Sequence, residues 1–178
     1  MNNEKDNVYD LVEDFYAHDE GWNTLLRQEY AEGFLRMEAW KGKKNSDLYR
    51  SWDNLTMLCL YLGSAETFLG DMNADDFIDC IAWCGRNISE FTPDYKNTQD
   101  FLETCDGLFK YLKGKNAISN DTVPATAAEI LLQEGKMNII LPDGSFDEAN
   151  AERAWNATPD IPAKIFLNIG ERLQELLE

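Results

Sequence analysis

A chain of 178 residues with 33 acidic and 16 basic side chains carries a formal net charge of −17 at neutral pH. Such a surface repels nucleic-acid phosphates and anionic lipid, because binding either one depends on Lys and Arg displacing counterions. Hydrophobic residues make up 44%, with 5 Trp, 7 Tyr and 9 Phe, which is material for one buried core and excludes the composition of a disordered tail. The opening, "MNNEKDNVYD", has neither the basic start nor the apolar stretch of a secretory signal. The longest apolar run, "LTMLCLYLG" at 55–63, is too short to span a bilayer. The expectation is a cytoplasmic protein with no membrane partner and no direct nucleic-acid binding. Its four cysteines, Cys59, Cys80, Cys84 and Cys105, are then reduced thiols. No pair has C-x-x-C spacing, which removes thioredoxin-type and zinc-ribbon readings.

Helical periodicity dominates the chain. Val8, Leu11, Val12, Phe15 and Tyr16 form one stripe of a first helix. A second helix is predicted from about Trp22 to Lys41, aligning Leu26, Tyr30, Gly33, Met37 and Trp40. The third begins near "NSDLYRSW", with Ser46 as N-cap and a stripe of Leu48, Trp52, Leu55, Cys59 and Leu62. Met57, Leu58, Leu60 and Tyr61 cover its other sides, so it is expected at the centre of the fold. A fourth helix spans 74–87. A fifth, at about 98–113, repeats Phe101, Leu102, Cys105, Leu108, Phe109 and Leu112 and closes on Gly114. Thr122 and Pro124 open a short sixth helix. "KMNIILPDGSF" then offers a hairpin near 137–146, the sole strand candidate, and a last helix is expected from Pro162 onward. The pattern predicts an all-α, single-domain helical bundle of about six to eight helices. Residues 114–124 are the best linker, which leaves room for a small C-terminal subdomain over 121–178.

"GDMNADDFIDC" at 70–80 places Asp71, Asn73 and Asp75 at alternating positions, as a calcium loop does. The sixth position is Asp76 rather than Gly, and the twelfth is Ala82 rather than Glu, so the most demanding requirements fail. A helix begun at Ala74 accounts for the stretch better. Phe77, Ile78, Ile81 and Cys84 then point one way, Asn73 is the N-cap, and Asp75 and Asp76 sit where the helix dipole favours negative charge.

Other residues each admit a chemical and a plain reading. Cys80 and Cys84 share a helix face, and Cys59 and Cys105 would complete a tetrahedral metal site if three helices converged. Cys59, Cys84 and Cys105 each lie inside an apolar stripe, where cysteine serves as a small hydrophobe. His18, the single histidine, excludes two-histidine metal motifs. Glu29 falls on the apolar side of the second helix, either as an acid or base or as the partner of Arg36. Lys41, Lys43, Lys44 and Arg50 form one basic cluster, and Lys110, Lys113 and Lys115 a second. Meeting in space they would bind an anion, whereas apart they serve helix C-termini. Trp83 lies off the apolar face of its helix, on the same side as Asp76 and Asp79. An aromatic there is either covered by the C-terminal segment or a contact for a partner. No catalytic signature is present, and no cofactor is expected.

Residues 52–118, with "YLGSAETFLGDMNADDFIDCIAW" and "TQDFLETCDGLFKYLKGKNAIS", resemble the helical core-binding domain of tyrosine recombinases in hydrophobic rhythm and turn placement. The resemblance implies an all-helical unit that grips DNA with basic residues. This segment is acidic instead, and His18 is followed three places on by Gly21 where that family's catalytic domain carries Arg.

The functional expectation is a non-enzymatic acidic protein that binds a basic protein partner or itself, as a homodimer, through Asp76, Asp79 and Trp83. A DNA mimic is the second reading, and an enzyme or ligand-binding protein with a pocket built from distant residues is the third.

Overall fold

Apolar side chains recurring every three or four positions build six helices among the described residues, with one short 3-10 turn and no strand. In chain order they are α1 (Val8–His18), α2 (Gln28–Trp40), α3 (Asn45–Ala65), α4 (Ala74–Asn87), α5 (Tyr95–Gly114) and α6 (Val123–Gln133). The 3-10 turn, Leu69–Asp71, lies between α3 and α4. The computed structural model describes residues 7–18, 25–91 and 95–133. The hairpin expected near 137–146 and the helix expected from Pro162 lie outside the described residues. Among the described residues no helix is long and apolar enough to cross a membrane.

α3 is the central element, touching α1, α2, α4 and α5. Leu48, Trp52, Leu55, Met57, Leu58, Cys59, Tyr61 and Leu62 are all buried on it, which explains why its sequence is apolar nearly all round. Burying such side chains contributes about 1.5–3 kcal/mol each. Polar ties set its register against α5. Asn54 Nδ2 donates to the Thr104 hydroxyl at 3.0 Å and to the Asp100 carbonyl at 3.3 Å. α1 packs on α2 and α3. The Phe15 ring meets Trp52 edge-on at 5.2 Å, and the buried Tyr16 hydroxyl donates to the Leu26 carbonyl. α6 lies across α5 and α4.

Gly33 on α2 and Gly107 on α5 each leave room for an aromatic ring of the other helix. A Cβ on Gly33 would meet the Tyr111 hydroxyl, and one on Gly107 would come within 3.1 Å of the Phe34 ring and 3.8 Å of Glu38 Oε1. Position 33 faces 111 while 34 and 38 face 107, so the two helices run antiparallel.

Three local expectations need correction. The second helix is not one unbroken run, since Arg27 is extended just before the helix Gln28–Trp40, and residues 19–24 lie outside the described residues. Its buried face is Ala31, Phe34, Leu35 and Glu38, a stripe rotated from the one that Tyr30, Gly33, Met37 and Trp40 suggested. The third helix starts at Asn45 with Lys44 at the N-cap, so Ser46 lies inside it.

Candidate interaction site

α4 starts as the sequence indicates. Asn73 Oδ1 accepts from the Asp76 amide at 3.0 Å, and Asp76 Oδ2 accepts from the Asn73 amide at 2.8 Å, a reciprocal capping box. That pairing accounts for the calcium-like spelling of residues 71–79. Asp76, Asp79 and Trp83 are all half-buried. The Trp83 ring packs against Tyr61 of α3, with centroids 6.1 Å apart and planes at 67°. Burial, then the surrounding charges of Asp79 and Asp76 among others, push the Tyr61 hydroxyl far up. Trp83 is therefore a seam between α3 and α4 with acids beside it, not a free aromatic.

Among the described residues the most exposed large hydrophobic side chain is Trp40. It stands at the last residue of α2 with 92% of its surface exposed. Beside it, the Arg36 guanidinium stacks 5.2 Å over the Tyr9 ring, and Tyr9, Arg36, Ala39 and Trp40 line a shallow depression of about 300 Å³. The cluster after it is partly committed. Lys43 and Lys41 reach back to the nearly buried Glu38 at 2.7 Å and 3.3 Å. Burial pushes the Glu38 carboxyl up, but the two lysines outweigh it and hold the group below its ordinary range.

A deeper groove of about 380 Å³ opens between α3, the turn after α4 and the first turns of α5. Met57, Leu60, Ile88 and Phe91 supply apolar lining, and Arg50, Asp53, Glu90 and Asp100 supply charge. Arg50 is taken by Asp100 at 2.9 Å, which leaves Asp53 and Glu90 without an ion-pair partner among the described residues. Partial burial in the groove pushes the Asp53 carboxyl up, although the residue as a whole stays exposed. Leu60, on the α3 wall, is 40% exposed. No single stretch of sequence announces this groove, since its walls are contributed by residues up to 50 positions apart. A second groove, about 320 Å³ between α5 and α6, lies where the chain leaves the described residues.

The four cysteines converge. All are buried, and Cys80 and Cys105 each lie within electrostatic reach of Cys59 and Cys84. The Cys84 thiol also faces the Met57 carbonyl at 4.0 Å. Burial pushes the thiols of Cys59, Cys80 and Cys105 well up, so they are poor nucleophiles and pack as core residues. Among the described residues no group of three or more His, Cys, Asp and Glu is arranged to hold a metal. His18 is exposed at the end of α1. Glu29 is exposed as well, and pairs with Arg27 at 2.6 Å rather than with Arg36.

The two basic clusters stay apart, because antiparallel α2 and α5 put their C-terminal ends at opposite ends of the pair. Lys110 and Lys113 are taken by Asp106 and Asp121, and Lys115 lies over the Tyr111 ring. No family model, no curated protein and no solved structure matches this chain.

Proposed function

We propose that this chain is a non-enzymatic interaction module, and that the groove between α3 and α5 takes a basic, amphipathic segment of a protein partner. The observation that carries this reading is the groove's chemistry, an apolar floor bordered by two carboxylates, Asp53 and Glu90, that no described cation neutralises. Apolar side chains entering such a floor supply affinity, while Lys or Arg at the border supplies orientation and a fast, salt-sensitive approach. The net charge of −17 acts in the same direction by steering basic partners toward the molecule. Buried, high-pKa thiols and an exposed lone histidine give no support to a nucleophilic enzyme. A DNA mimic would need its carboxylates free in a continuous array, and Glu29, Glu38, Asp100, Asp106 and Asp121 are instead drawn into ion pairs. The Asp76, Asp79 and Trp83 face remains an acidic surface for the same class of partner, with Trp83 in a supporting role.

Calorimetric titration of the full chain with a short helical peptide bearing Lys on one face and Leu on the other tests the proposal. Binding is expected to weaken as salt rises, and to fall by about tenfold, or 1.4 kcal/mol, in the Asp53→Asn, Glu90→Gln double variant. Equal binding of the same peptide with Glu in place of Lys would refute it.

A further inference from the structure

Trp40 presents the complementary half of such a contact. Residues 36–44 hold four cations, Arg36, Lys41, Lys43 and Lys44, against one carboxylate, Glu38, in a chain that is otherwise strongly acidic. At their centre the indole of Trp40 is 92% exposed, next to a guanidinium stacked on Tyr9. Trp, Tyr and Arg are the side chains that most often anchor protein interfaces, because each buries a large rigid surface and keeps a polar end. An apolar ring followed in the chain by lysines, with Arg36 beside it, is the kind of ligand that the groove beside Asp53 and Glu90 is suited to take. The two sites have no lining residue in common.

We infer that the Trp40 knob of one copy docks into the α3–α5 groove of a second copy, so that the partner is this chain itself. The inference rests on the groove reading above and names its occupant. Charge complementarity carries it. Knob and groove have opposite sign, whereas knob against knob would set cation on cation. The pairing of knob with groove is met reciprocally in a two-fold dimer, each knob in the other copy's groove, or head-to-tail in rings and open chains. The overall charge opposes approach, but at about 0.15 M salt the screening length is roughly 8 Å, so distant repulsion fades while close pairs persist.

The test is sedimentation of the full chain over a range of concentrations, with two variants that each remove one half. Trp40→Ala keeps the groove, and the Asp53→Asn, Glu90→Gln pair keeps the knob. Wild type is expected to gain mass with concentration. Each variant alone should stay at the single-chain mass of 20.4 kDa, and their equimolar mixture should form a one-to-one complex. Wild type that stays single at every concentration, variants that associate as wild type does, or a mixture that stays single would each overturn the inference. Circular dichroism of both variants identifies any loss of fold. The Lys/Leu peptide separates the two claims. If association is absent but the peptide still binds wild type and not the groove variant, only the self-partner is lost. If the peptide fails too, the groove reading falls with it.

Discussion

Glu38 holds its carboxylate almost out of water at the end of α2, with Lys43 at 2.7 Å and Lys41 at 3.3 Å. Its pKa in the folded state is held below that of the unfolded chain, which for Glu is about 4.3. A carboxyl depressed in this way adds stability that is fully present above the unfolded value and is lost as pH falls through the folded one. The Glu38→Gln variant should therefore lose part of the acid-induced drop in urea midpoint that wild type shows below about pH 4.3. An identical acid limb in both proteins would contradict the assignment. Asp53 behaves with the opposite sign. Its folded pKa is raised by burial, so ionising it works against folding, and Asp53→Asn should leave stability at neutral pH unchanged or higher. Weaker binding by that variant would thus report the groove rather than a loss of fold.

At the scale of the element, two tryptophans on two helices exchange the roles that spacing assigns them. The second helix aligns Trp40 with Leu26, Tyr30, Gly33 and Met37, yet the face that turns inward is Ala31, Phe34, Leu35 and Glu38. That stripe is hard to read because it contains a carboxylate and a small alanine, and Glu38 is admitted only because two lysines reach it. Trp83 stands among acids on what looks like a polar face, but Tyr61 from α3 covers it. Replacing each tryptophan with alanine should separate the cases. Trp83→Ala is expected to lower unfolding free energy by about 2 kcal/mol, as a half-buried aromatic lost from a seam. Trp40→Ala should stay within about 0.5 kcal/mol of wild type. Equal losses in the two urea titrations would mean that Trp40 is packed. By contrast, α4 is legible to the residue, since Asn73 and Asp76 form a cap from side chains three positions apart. Local chemistry of that kind is written in consecutive residues.

For the whole molecule, the all-helical architecture of the described residues and the central place of α3 follow from patterns that run within single helices, so they can be read in advance. The groove could not be, because it exists only once α3 lies beside α5. Arg50 and Asp100 are 50 residues apart, and nothing near either predicts that they pair and leave Asp53 and Glu90 without a cation among the described residues. The convergence of the four cysteines has the same origin, since it depends on the angles at which α3, α4 and α5 meet. The most direct test of the central claim is to map where a basic, amphipathic segment lands, by methyl NMR of the full chain saturated with the Lys/Leu peptide. Shifts concentrated at Met57, Leu60 and Ile88, with Leu132 and Leu69 undisturbed, are the predicted result. Shifts that leave those three methyl groups unmoved while others respond would contradict it.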